Sequence, residues 1–553
     1  MILYTLSGLV KGSAVVKYEK YAVAVIFLIF AATLSPWTYN FPLNDDWAYA
    51  QAVRTLSETG RLALSDWGSS TQVLHIIIGA LFSKLFGFSF ATLRVANVLI
   101  AAGALFLFVK ILDEFEIGPL EKMAAGLALA LNPIYLVLAN SFMTDIQYFL
   151  WMLAAMYFYI RRLKDPEDSP ALAWAGVCVA AAYLTRQLAV ALPLAFTLSL
   201  FFKGRFKWRE LAAVWALPAA AILGYHFWFT HIHGPTWASE NYVAAATLGH
   251  ISRPLAFFND AFYRLLASMI ETGLLLLPLA IGYLFSLPQF SSRNGLHRRI
   301  NSFGPWLALA VLIVFALMNG PLPYLQNTMA RSGFGVLTLG GSQLKPSGLF
   351  ASQGFWLLAT GAAIVSAVLL MCASGLALRA GNSALRFVFS VCFLQLAISL
   401  IGAKFFDRYL LTLLPWFAVS AVFAARGVRF NKPAVAAALL LCGWLGWAGV
   451  KDYLAWNSAK WELAGRPRAD FHPGQIINGF DYQAWFNYEN KMAYLKSMKP
   501  LSMIGEWEWQ KSGDYKAIVT FNPDPRLKIL DKTEYSTPLS SRKGVLYLMS
   551  PRN

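Results

Sequence analysis

For most of its first 450 residues the chain is written as long apolar runs, not as the alternating pattern of strands or the one-sided stripe of soluble helices. Each run holds roughly 16 to 25 residues, and short segments rich in Lys and Arg separate them. At about 1.5 Å of rise per residue, a helix of that length crosses about 30 Å of hydrocarbon. Runs near residues 21–36, 90–109, 122–139, 145–160, 171–184, 187–202, 210–229, 266–287, 304–319, 352–378, 387–403, 409–425 and 434–450 predict a mainly α, polytopic membrane protein of about thirteen transmembrane helices. After residue 450 the pattern changes to short β-like runs at 475–480, 515–521 and 544–549, with a helical stretch over 481–498. This predicts a membrane domain over 1–450 and a small α/β domain over 451–553.

Composition agrees with that pattern: the chain is 58% apolar and only 14% charged, where a soluble domain has about 45–50% and about 25%. An ordinary soluble enzyme, a disordered chain and a disulfide scaffold are excluded. Cys178, Cys372, Cys392 and Cys442 all sit in apolar stretches, where a thiol behaves as a small hydrophobe. With the N-terminus inside, the cytoplasmic segments collect twenty Lys and Arg, whereas the short outer turns hold only Arg186, Lys404 and Arg408. The expected location is therefore the inner (plasma) membrane, with a cytoplasmic N-terminus and a periplasmic C-terminal domain. Basic inner loops facing anionic lipid account for most of the net charge of +17, so no nucleic-acid partner is needed.

Four segments lie outside in this topology: 37–89, 230–265, 320–350 and the C-terminal tail. The first begins Asn44-Asp45-Asp46-Trp47-Ala48-Tyr49 and runs helically to Gly60, after which an amphipathic stretch, Val73 to Phe86, carries His75 and lies in the interface. Another acid, Asp145, falls in the short outer turn Ser141-Phe142-Met143-Thr144-Asp145. A carboxylate at the mouth of a span is a functional candidate, with helix capping as the plainer alternative. Arg186, Lys404, Arg408 and Arg94 reach the same face. Guanidinium groups match phosphate oxygens in two-bond geometry, so acids and arginines at an outer interface suit a substrate with a lipid tail and an anionic head.

These segments resemble the GT-C membrane glycosyltransferases, and within them the glycosyltransferase family 39-like branch that holds protein O-mannosyltransferases and the lipid A aminoarabinose transferase. Asp45-Asp46-Trp47-Ala48-Tyr49-Ala50 is similar to that branch's Asp-Glu-x-x-Tyr-Ala pattern, and Phe142-Met143-Thr144-Asp145 to its second acidic turn. Leu184-Thr185-Arg186 is similar to its Leu-Thr-Lys turn, and Arg408-Tyr409-Leu410-Leu411 to its Arg-Tyr-Leu-Leu segment. The order extends over residues 20–425. Two departures stand out: Thr71-Gln72 where the aminoarabinose transferase has Lys-Pro, and Arg186 in place of Lys.

The resemblance implies transfer of a sugar from a polyprenyl-phosphate donor to an acceptor hydroxyl on a lipid, glycan or protein at the outer face of the bilayer, with inversion. Asp45 or Asp46 would be the general base and Asp145 would orient the acceptor or tune that base. Arg186, Arg408, Lys404 and Arg94 would hold the donor phosphate, and Tyr49, His75 and Tyr409 would line the substrate. No cofactor is required; a divalent cation bridging an acid to the phosphate stays open, and His231-Ile232-His233 has no wider ligand signature. Trp67, Trp237, Tyr482 and Trp485 suit sugar stacking, and the glycine-rich loop from Ser332 to Gly341 reads as a lid or a plain mobile loop. The competing classes are a transporter or flippase, and a noncatalytic recognition subunit, for lipid-linked glycans.

Overall fold

A computed structural model of the chain describes residues 18–204, 207–284, 303–339, 346, 348–426, 431–467, 472–497, 515–539 and 543–552. It is mainly α-helical, with a small mixed sheet near the C-terminus. Gly340 and Gly341 of the glycine-rich loop fall outside the described residues.

The expected thirteen spans are overturned. Among the described residues only five helices are long and apolar enough to cross a membrane: Phe90–Asp113, Trp208–His233, Gln353–Arg379, Ser383–Ile401 and Lys432–Gly465. A sixth results if Pro119–Ala130 and Pro133–Ala139, bent by 61° at their break, count as one span. The chain is still a multi-pass membrane protein. The difference has a local cause, because a hydropathy run does not report where a helix stops. Within 122–139 the Asn132 side chain accepts from the Ile134 amide at 3.0 Å and starts a new helix at Pro133. The 187–202 run opens as a 3-10 turn, Gln187–Val190, and 409–425 yields the turn Asp407–Thr412 plus an 11-residue helix, Leu414–Ala424. The 266–287 run divides between Pro254–Leu275 and Leu277–Leu284. Thr144–Lys164 has the length, yet carries Asp145, Arg161, Arg162 and Lys164.

Phe90–Asp113 and Thr144–Lys164 pack against each other and against Glu19–Ala32 and Ser169–Tyr183 respectively. The buried core includes Phe27, Phe108, Tyr135, Tyr159 and Trp416. Leu81, Leu85, Phe86, Leu358 and Leu440 are exposed, the kind of apolar surface that a bilayer covers.

Lys432–Gly465 has 34 residues, about 51 Å of helix and longer than a hydrocarbon core. Its last turns meet the C-terminal sheet, whose strand order is Ile476–Ile477, Ala517–Thr520, Gly544–Pro551, Leu527–Tyr535. The first pair is parallel and the others antiparallel. Leu527–Tyr535 had no β signal in the sequence; it is an edge strand whose Lys528, Asp531, Lys532 and Glu534 blunt it against pairing. Lys460 joins helix Lys432–Gly465 to helix Phe480–Phe486 and to the 320–350 segment: fully buried, it donates to Asp481 Oδ1 at 2.6 Å and Thr338 Oγ1 at 2.8 Å.

Candidate functional site

Asn44 takes a positive φ of 54°, a conformation that costs a non-glycine residue energy and often marks a functional turn. It swings the chain into helix Asp46–Thr59, which ends at Gly60 with φ of 72°. Asp45 occupies the N-cap position but makes no capping bond. Its Oδ1 instead accepts from Trp67 Nε1 at 3.0 Å. Asp46 turns the other way: 2% exposed, it accepts from the Leu43 amide at 3.2 Å. Burial pushes the Asp46 carboxyl up to about 7, against the pull of the Phe142 amide and Arg94. Burial also raises Asp45, while Arg408 and Trp67 draw it back down.

Asp145 lies in the first turn of Thr144–Lys164, whose start likewise has no side-chain cap. Its Oδ1 pairs with Arg186 Nη1. Arg186 is held in place because the start of helix Val73–Phe86 is stitched to the turn before it: Thr71 Oγ1 donates to the Tyr183 carbonyl, the Gln72 amide to Thr185 at 3.2 Å and the Leu74 amide to Leu184 at 3.0 Å. Gln72, at φ 43°, makes that approach.

Arg408 follows Asp407, a buried carboxylate that accepts from the amides of Thr328 at 2.9 Å and Met329 at 2.6 Å and so pins the 320–350 segment to the turn. Burial lifts Asp407 to about 6. The Arg408 guanidinium lies 5.1 Å from the Phe406 ring and 5.8 Å from Tyr409, and Arg186 is 5.4 Å from the same Tyr409 ring. Arg408 Nε and Nη1 are buried and, among the described residues, have no hydrogen-bond partner. Although burial works against its charge, Asp145, Tyr409, Asp45 and Tyr49 hold its pKa above the ordinary arginine value.

Asp45, Tyr49, Asp145, Arg186, Lys404, Arg408 and Tyr409 line one cavity of about 490 Å³, together with Asn44, Trp67, Ser69, Ser70 and Asn327. Asp46, Arg94 and His75 are not on its wall. Arg94, 1% exposed, donates to the Asn140 carbonyl at 2.7 Å, to Phe41 at 2.8 Å and to Tyr39. His75 stacks on Phe142 at 4.0 Å and its Nε2 faces the Phe142 carbonyl at 3.0 Å; burial pulls its pKa down to about 4. Of the aromatics, Trp67 reaches the cavity, Trp237 stacks on it at 6.2 Å, Tyr482 is buried, and Trp485 packs on Phe88 and Phe90. That Trp67 grips Asp45 had no local signal, since the two are linked only by the fold.

Among the described residues no group of three or more His, Cys, Asp or Glu side chains could hold a metal ion. His233 Nε2 accepts from the Leu64 amide at 2.8 Å, and His231 bonds its own helix. The described part of the glycine-rich loop is anchored: Gly335, at φ 82°, lies where any Cβ would enter the Tyr453 ring.

Residues 73–228, the segment that carries Arg94, Asp145 and Arg186, match the family model described as dolichyl-phosphate-mannose-protein mannosyltransferase. The matched segment contains the second acidic turn and the Leu-Thr-Arg turn on which the motif resemblance rests. No curated protein matches the chain. Similar solved structures include ArnT from Cupriavidus metallidurans bound to undecaprenyl phosphate, 14% identical with 95% of this chain and 97% of that one covered and a TM-score of 0.38. Another is the oligosaccharyltransferase AglB from Archaeoglobus fulgidus, 13% identical with 92% and 70% covered and a TM-score of 0.46.

Proposed function

We propose that this protein is a membrane glycosyltransferase that moves a sugar from a polyprenyl-phosphate donor to an acceptor hydroxyl at the outer face of the membrane. The observation that carries the reading is Arg408: a buried guanidinium with two unpartnered N–H positions beside a second arginine, on the wall of a cavity that also holds two carboxylates. Such donors are costly to bury unused and suit a phosphate oxygen.

In this reading Arg408, Arg186 and Lys404 cradle the donor phosphate. With Asp45 and Asp145 ionised, three cations face two carboxylates, so the cavity has one net positive charge. A phosphodiester donor carries one negative charge, and cleavage adds another to the leaving phosphate; arginines already in place stabilise it as it grows. Asp45 is the general base. It takes the proton of the acceptor hydroxyl as that oxygen bonds to the anomeric carbon, and the carbon–oxygen bond to phosphate breaks with its electron pair going to the phosphate. Asp145, paired with Arg186 through Oδ1, orients the acceptor, and direct attack of that acceptor on the anomeric carbon is a single displacement with inversion. Asp46 and Arg94 hold the first outer loop.

The test uses purified protein in detergent with radiolabelled polyprenyl-phosphate mannose, glucose and aminoarabinose, each offered to lipid, glycan and peptide acceptors. Asp45→Asn is expected to lower transfer by about 10²- to 10⁴-fold, the usual contribution of a positioned base, without weakening lipid binding. Transfer at the normal rate by Asp45→Asn would remove Asp45 as the base.

A further inference from the structure

The segment that joins helix Asp46–Thr59 to helix Val73–Phe86 has no regular structure of its own, yet it carries Trp67, the hydrogen-bond donor to Asp45. What fixes it comes from far along the chain. From the C-terminal domain, Tyr488 Oη accepts from the Asp66 amide at 2.8 Å and from Ser65 Oγ at 3.2 Å, and Lys496 Nζ lies 2.8 Å from Asp66 Oδ2. From the second outer loop, Thr236 Oγ1 donates to the Gly68 carbonyl at 2.6 Å and the Ala238 amide to the Asp66 carbonyl at 2.9 Å. The rings close the arrangement: Trp67 packs on Phe480 at 5.6 Å, and Trp47, two residues beyond Asp45, on Phe480 at 5.9 Å and Tyr488 at 5.6 Å.

We infer that the C-terminal domain positions the Asp45 carboxylate through Trp67, with Tyr488 as the contact that transmits its docking to the cavity. The inference rests on the reading of Asp45 as the base. Trp67 and Tyr488 are thus positioning residues: neither need touch a reacting atom. A carboxylate held by one short donor keeps one oxygen aimed and the other available, the preorganisation that a base requires. The N–H also stabilises the ionised form that accepts a proton. Arg408 acts in the same direction, whereas the neighbouring carboxylates Asp145 and Asp46 oppose it, and Tyr49 faces the same group.

The test is made on the full chain in detergent with undecaprenyl phosphate as the probe. Ionised Asp45 repels the lipid phosphate, so affinity falls as pH rises through its titration, and Asp45→Asn supplies the baseline without that step. Trp67→Phe keeps the ring and removes the donor. It is expected to move the midpoint upward by about one pH unit, the size of one hydrogen bond to a charged group. Tyr488→Phe should move it the same way by less, and the double variant no further than Trp67→Phe alone. An unmoved midpoint in Trp67→Phe, or additive shifts, overturns the inference. Amide hydrogen exchange over residues 64–69 supplies an arm independent of the lipid. Faster exchange in Tyr488→Phe supports the link, and unchanged exchange overturns it. If wild-type protein does not bind the lipid, the functional reading fails, and the exchange arm still decides whether Tyr488 holds the Trp67 segment.

Discussion

Replacing Arg408 by Gln separates a ligand-binding arginine from a structural one. Among the described residues, Arg408 Nε and Nη1 have no hydrogen-bond partner, so removing them breaks no hydrogen bond at these atoms. Asp145 retains Arg186, and Asp45 retains Trp67. The unliganded stability should therefore change by no more than about 1 kcal/mol. Bound phosphate is different. Two charge-assisted hydrogen bonds lost from a buried site are worth about 3 kcal/mol, roughly a 100-fold loss of affinity. In a thermal-shift assay with undecaprenyl phosphate at a hundred times the wild-type Kd, wild type gains about 2.7 kcal/mol and the variant about 0.4 kcal/mol. Arg408→Lys should recover part of the binding, since charge returns without the planar fork. A variant that keeps the full lipid-induced shift would refute the phosphate role, and one that loses its unliganded stability would show that Arg408 holds the fold instead.

Arg94→Met should behave in the opposite way. It strips three backbone carbonyls of a buried cationic donor, so the free energy of unfolding should fall by about 3–5 kcal/mol, with lipid affinity of the remaining folded protein unchanged. Asp46 keeps its proton in the folded chain up to about 7, whereas an unfolded aspartate releases it near 3.8. The folded state binds more protons across that window, so this group makes stability decline as pH rises from about 4 to 7. Asp46→Asn should flatten that part of a plot of Tm against pH, and an unchanged slope would contradict the assignment. Lys460→Met leaves the buried Asp481 carboxylate without its cation, a loss of about 3–5 kcal/mol. Limited proteolysis should then cut between residues 465 and 515 sooner than in wild type.

Several features were legible from local pattern. The helix that follows Asp45 and stops at Gly60, the short helix Val73–Phe86, and the strands at 517–520 and 544–551 all depend on neighbours within a few residues. The motif order named six side chains that line one cavity, and the Lys and Arg count in the short turns added Lys404. Helix length was not legible, because Asn132, Pro133 and the 3-10 turns at 187–190 and 407–412 cut apolar runs that hydropathy reads as continuous.

Adjacent acids look equivalent in one dimension, and so do arginines on one face of the membrane. Asp45 faces the cavity and Asp46 the loop core because of Asn44's positive φ and the position of Trp67, and Arg94 is consumed by three carbonyls from two separate segments, 39–41 and Asn140. Sequence by itself determined which chemical groups are present and in what order they follow along the chain. Tertiary structure alone decided which of them share a space, because a side chain's partners are chosen by contacts between segments up to hundreds of residues apart, and no local periodicity encodes those distances.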